Sequence, residues 1–80
     1  MGHKLHVGNI PSRTTEEELR LMFSQFGVVE STIVIRDTLT GASKGYALVE
    51  MSTDAEALKA IARLNFTQNE GLIMGVSKAK

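Results

Sequence analysis

The residues able to do chemistry in this chain make contact surfaces, not a reaction centre. From Lys44 to Met51 it reads Lys-Gly-Tyr-Ala-Leu-Val-Glu-Met. Side chains of a strand alternate between its two faces. Ala47, Val49 and Met51 therefore share one apolar face, and Lys44, Tyr46, Leu48 and Glu50 share the other. The first face suits a core. The second presents a cation, a phenol ring and a leucine in succession, which is a surface for a ligand. An earlier segment has the same layout, with Leu5 and Val7 on one side and Lys4, His6 and Gly8 on the other.

Other chemistries fall away. No nucleophile–base–acid set can be assembled from the motifs present, so no catalytic residue is expected. The chain has no cysteine, which removes disulfides, thiolate metal sites and cysteine nucleophiles. His3 and His6 stand three apart on a strand, on opposite faces, and make a poor metal pair. No metal and no cofactor are expected. Gly41-Ala42-Ser43-Lys44-Gly45 lacks the Gly-Lys-[Ser/Thr] order of a phosphate-binding loop. Asn65-Phe66-Thr67 fits a glycosylation sequon, but nothing else points to secretion.

The elements that must hold these surfaces follow from periodicity. Lys4 to Ile10 reads as a strand that Pro11 and Ser12 end. Thr15-Glu16-Glu17-Glu18 is a capping box, and Leu19, Met22, Phe23 and Phe26 form the apolar stripe of the helix it starts. Gly27 stops that helix. Val28 to Arg36 reads as a strand with Val29, Thr32 and Val34 toward the core and Ile33 and Ile35 away from it. Asp37 to Ser43 is a loop turning at Gly41, and the Lys44–Met51 strand follows. Thr53-Asp54-Ala55-Glu56 is a second capping box, before a helix with Ala57, Ala60, Ile61 and Leu64 inward. Lys59 and Arg63 lie on its solvent face. Asn65 to Gly71 reads as a loop, and Leu72 to Ser77 as a last strand with Met74 and Val76 inward.

Strand, helix, strand, strand, helix, strand is an α+β order. Right-handed crossovers place both helices on one face of a four-stranded antiparallel sheet, a ferredoxin-like βαββαβ sandwich. The other face is left bare, with His6, Tyr46 and Leu48 close together on the two central strands. Eighty residues fit a single domain, 1–80, with its core at about 4–79. Net charge is zero, so attraction to a polyanion must come from local clustering. No apolar run approaches the roughly 18 residues of a membrane span, and the start lacks a signal-peptide layout. A cytoplasmic monomer without a membrane partner is the expectation.

The octapeptide and its surroundings resemble the RNA recognition motif, from about Lys4 to Ala79. That family's octapeptide is [Lys/Arg]-Gly-[Phe/Tyr]-[Gly/Ala]-[Phe/Tyr]-Val-x-[Phe/Tyr]. Lys44 to Met51 matches at the first four places and the sixth. Leu5-His6-Val7-Gly8-Asn9-Ile10 meets the hexapeptide of the first strand. Phe23-x-x-Phe26-Gly27, Arg36-Asp37, Thr40-Gly41, Leu64-Asn65 and Gly71 stand where the family has them. The closing Ser-Lys-Ala-Lys is similar to small single-domain bacterial members.

The resemblance implies single-stranded RNA, or single-stranded DNA, bound on the open face by base stacking. Carried over position by position, Tyr46 keeps its ring and Lys44 its phosphate-contacting cation. His6 and Leu48 replace aromatics, so binding is expected to be weak. The expected RNA-binding set is His6, Tyr46, Leu48, Lys44, Lys4, Asn9, Ile33 and Ile35, with Lys78 and Lys80 either a frayed tail or a clamp over the sheet. Met51 is a packing replacement toward the core. Two other readings are a protein-recognition module using Ile33, Ile35 and Leu48 or the helix surface with Phe66, and an enzyme of the acylphosphatase kind. The last lacks the accompanying Asn on the second strand.

Overall fold

The computed structural model describes residues 3–79. β1 (Lys4–Gly8) has the expected alternation, with Leu5 and Val7 fully buried and Lys4 and His6 exposed. Thr15 caps α1 (Glu16–Phe23): its hydroxyl accepts from Glu18 N at 3.2 Å while the Glu18 carboxylate accepts from Thr15 N at 3.0 Å. Two helix-start donors are thus satisfied reciprocally, which typically contributes about 1 kcal/mol per cap. Leu19 and Phe23 are fully buried, and Met22 and Phe26 pack on the rim of the same core.

The helix tightens into a single 3-10 turn, Ser24–Phe26, and ends at Gly27 with φ 155°. A Cβ there would sit 2.5 Å from carbons of the Glu56 side chain. Glu56 crosses this gap to accept from Val28 N at 3.2 Å and from the Ser52 hydroxyl. The second capping box is therefore realised differently from the first. Thr53 accepts from Glu56 N at 3.1 Å, but the Glu56 carboxylate is directed over Gly27 to the first strand-forming residues beyond α1.

β2 (Val29–Arg36) and β3 (Ser43–Met51) form the longest ladder. Their register shifts between Val29 and Ser31, which pair with Met51 and Glu50. The extra residue, Glu30, makes a bulge, and this puts Val29 on the core side with Val34. A second shift takes the pairing from Val34–Ala47 to Arg36–Ser43, around Gly45 at φ 85°. Strict alternation along β3 thus holds from Tyr46 onward and is broken before it. The β2–β3 loop is closed by Asp37, whose carboxylate accepts from Leu39 N and Thr40 N at 2.8 and 3.0 Å, with Gly41 at φ 77°. Those amides hold the Asp37 carboxyl below the usual range, Thr40 first and Leu39 next.

α2 (Asp54–Leu64) buries Ala57 and Ala60 and lays Ile61 and Leu64 against the core. The chain beyond it corrects the sequence expectation. β4 (Gln68–Asn69) and β5 (Leu72–Ile73) pair as a small separate hairpin, and the last strand of the main sheet is β6 (Gly75–Lys78). The hairpin turn is Glu70–Gly71, both at positive φ (51° and 84°), the geometry a two-residue turn between twisted strands requires. Met74, between the two sheets, is buried as expected, as is Val76.

The main sheet has the order β2-β3-β1-β6 with antiparallel neighbours throughout. The buried residues form one cluster joining α1, α2 and the inward faces of the strands. This is the ferredoxin-like sandwich, with β1 and β3 at the centre. No helix among the described residues is long and apolar enough to cross a membrane.

Candidate nucleic-acid interface

The open face is built in rows across the sheet. The central row runs Ile33–Leu48–His6–Ser77, one residue from each of β2, β3, β1 and β6. On one side of it Tyr46 stands opposite Gly8. On the other, Glu50 stands between Lys4 and Ser31.

The His6 and Tyr46 rings are stacked, with centroids 5.3 Å apart and planes at 27°. They are diagonal neighbours, not a directly opposed pair, since His6 faces Leu48 and Tyr46 faces Gly8. Gly8 makes this possible. A Cβ on Gly8 would lie 3.2 Å from His6 Cε1, so the imidazole leans into space that any other residue would narrow. The sequence reading found both rings and placed Gly8 on their face without giving it a role. Stacked aromatic pairs of this spacing contribute about 0.5–1.5 kcal/mol beyond their buried area.

Beside the rings the surface is aliphatic. Ile33 is 53% exposed, and Leu48 and Ile35 are half-buried. Lys4 is exposed at the end of β1 and Lys44 is exposed at the Gly45 bulge. Among the described residues neither has an ion-pair partner within 4.0 Å. The other cations near the sheet are engaged. Arg36 grips Glu16 at 2.7 Å, and Glu16 also accepts from Val34 N at 2.9 Å. Together, the Arg36 bond first, they hold the Glu16 carboxyl down at about 2. Arg20 donates to the Val29 carbonyl at 2.9 Å.

Two expected contacts fall elsewhere. Lys78 pairs across β1 with Leu5, a core residue, so its side chain leaves on the helical side and meets Asp54 at the start of α2. A clamp over the open face is therefore excluded for Lys78 by strand register, and Lys80 lies outside the described residues. Asn9, at φ 58°, donates its amide to the Ile73 carbonyl at 2.9 Å. With the Arg13–Glu70 ion pair at 2.8 Å it fastens the β1–α1 loop to the β4–β5 hairpin. One Asn9 amide hydrogen is thus committed to the fold.

A cluster absent from the sequence reading lies at the far end of the sheet. His3, Glu30 and Glu50 bring ligand atoms within 4.8 Å of one another, and the Glu30 bulge is what brings the third residue in. These are the described residues that could hold a cation. Glu50 already lies 4.0 Å from His3 Nε2 and accepts from the Ser31 hydroxyl.

A helix-backed antiparallel sheet with paired rings on its bare central strands defines the class to which the comparisons assign the chain. It belongs to the RNA recognition motif family, whose model matches residues 5–72. It is 40% identical, over its full length, to an uncharacterised RNA-binding protein of Schizosaccharomyces pombe, of which it spans 27%. It is 37% identical to the putative RNA-binding protein RbpD of a Nostoc species, covering 95% of this chain and 81% of that protein. Among solved structures, the Sxl-lethal protein/RNA complex superposes with a TM-score of 0.95 at 30% identity, over 100% of this chain and 48% of that one.

Proposed function

We propose that the open sheet face binds a short single strand of RNA and carries out no reaction on it. The observation that carries this is the His6–Tyr46 ring stack at 5.3 Å, with His6 exposed and Tyr46 half-buried at the sheet centre of a chain in the RNA recognition motif family. Bases stack on the ring pair, and Lys4 and Lys44 reach phosphates on either side. Base stacking on such platforms is worth about 1–3 kcal/mol per base. One phenol ring and one imidazole make a small platform, and Leu48 adds apolar contact without a π-face. The binding is accordingly weak, and single-stranded DNA of matching sequence competes for the same face.

A second reading rests on a different surface. Phe66 is 78% exposed at φ 69°, and Leu21, Val28 and Leu58 expose apolar side chains on or beside the helices. These suit a protein partner. An NMR titration with mixed short RNA and DNA oligomers separates the two. Shifts on Lys4–Gly8 and Lys44–Leu48 support the RNA reading; no shift there at saturating oligomer refutes it. Shifts confined to α1, α2 and Phe66 with a cell-extract peptide pool favour the second.

A further inference from the structure

The aliphatic half of the open face has a chemistry of its own. The ring pair occupies the Tyr46 end of the central rows. Next to it stand Leu48, directly opposite His6, then Ile33, directly opposite Leu48, with Ile35 two residues further along β2. Ile33 is exposed over half its surface. Adjacent strands lie about 4.8 Å apart, so these side chains border the stacked rings without a gap. On the side away from the rings, the nearest polar side chains along the same strands, Ser31 and Glu50, are bonded to each other. A nucleotide lying over Leu48 and Ile33 meets aliphatic C–H groups, with the His6 and Tyr46 rings at its border. It finds no ring to stack on and no side-chain donor to read its edge.

Such a surface discriminates by apolar area. The group that adds apolar area to a pyrimidine without changing its hydrogen-bonding edge is the C5 methyl, and apolar side chains contact it directly. We infer that the nucleotide beside the stacked base is selected for a 5-methyl group, so that thymine and 5-methyluracil are preferred over uracil. The inference rests on the open face being the nucleic-acid site. One buried methyl is worth about a fourfold gain in affinity.

The test compares four hexamers by fluorescence anisotropy: oligo-dU, oligo-dT, oligo-rU and oligo-(5-methyl-rU). Within each sugar series the methylated strand is expected to bind about fourfold tighter for one contacted position. The methyl also strengthens stacking on rings, so the preference must be traced to the aliphatic row. Ile33→Thr, at an exposed strand position that tolerates a β-branched polar residue, is expected to weaken the methylated strands more than the uracil strands and so reduce the ratio to below about twofold, with an unchanged amide spectrum. Equal affinities for methylated and unmethylated strands, both bound, overturn this inference and leave the RNA reading standing. So does a preference that survives both Ile33→Thr and Leu48→Ala. Failure of all four strands to bind overturns this inference, and the RNA reading falls with it when the mixed oligomers of the NMR titration also leave Lys4–Gly8 and Lys44–Leu48 unshifted.

Discussion

Replacing Tyr46 by alanine removes the larger ring of the stack and, with it, the surface against which His6 is held. The two rings sit 5.3 Å apart in the free protein, so neither is an independent platform. A base resting on the pair loses its contact with Tyr46, about 1–3 kcal/mol, or roughly five- to 150-fold in affinity. It also meets a His6 ring freed to adopt other rotamers. His6→Ala is expected to cost less, because imidazole presents less area. The double variant should then fall short of the sum of the single losses by about 0.5–1.5 kcal/mol, the size of a stacked-pair interaction. Affinities of the four proteins for one RNA hexamer, measured by anisotropy in the same buffer, give the cycle. Tyr46→Phe keeps the ring and should bind within about twofold of the parent. Folding is checked separately. The stack's own contribution of about 1 kcal/mol lowers Tm by roughly 4–8 °C in a domain of this size. A well-folded Tyr46→Ala protein with parental affinity refutes the platform. Strictly additive losses refute the claim that the rings act as one surface.

Three further outcomes follow from the same geometry. Two unpaired lysines at the face, Lys4 and Lys44, set the ionic term, so the slope of log K against log salt should be about −1.4; a slope near −2.8 would mean that cations now assigned to Glu16 or Asp54 contact the strand. Glu16 has its carboxyl held near 2 by Arg36 and the Val34 amide, against an ordinary value of 4.5. A depressed acid stabilises the fold above its unfolded value and loses that contribution as pH falls through the folded one. Glu16→Gln should therefore lower stability at pH 6, with the difference closing between about pH 4.5 and 2; urea melts giving a pH-independent difference would refute the Arg36 linkage. Gly8→Ala places a methyl 3.2 Å from the His6 ring, so it should weaken RNA binding several-fold by tilting His6 away from Tyr46 while changing Tm by only a few degrees, and unchanged binding would show that the lean over Gly8 is incidental.

How far these features could be read from the sequence depends on how local they are. Capping at Thr15, burial of Leu19 and Phe23, and the two-faced pattern of β1 and of β3 beyond Tyr46 each need only neighbouring residues, and the structure holds all of them. The bulge at Glu30 does not announce itself by type, yet it decides that Val29 joins Val34 inside. The side on which Lys78 leaves depends on its pairing with Leu5, a contact across the chain that no window around residue 78 contains. Glu56 carries the capping-box spacing, but the empty space over Gly27, far away in sequence, draws its carboxylate elsewhere. The Glu70–Gly71 turn escaped because Glu is a rare first residue at positive φ, where Asn or Asp gives the usual signal.

Under the proposed function, charge placement reconciles zero net charge with a polyanionic ligand. Arg13, Arg36 and Lys78 are each bound to an acid of this chain, and those acids sit on loops or helix starts, away from the ring pair. Among the described residues, Lys4 and Lys44 have no ion-pair partner within 4.0 Å, although Glu50 stands across the ladder from Lys4. If Lys4 and Lys44 supply about two phosphate contacts, as proposed, a tenfold rise in salt removes only about 25-fold in affinity. On the proposed reading most of the binding free energy is then non-ionic, from the His6–Tyr46 stack and the Leu48–Ile33 row. Non-ionic contacts distinguish bases by area and methylation, whereas phosphate contacts are indifferent to sequence. On the proposed reading, a platform of two rings trades affinity for dependence on which nucleotide lies beside them.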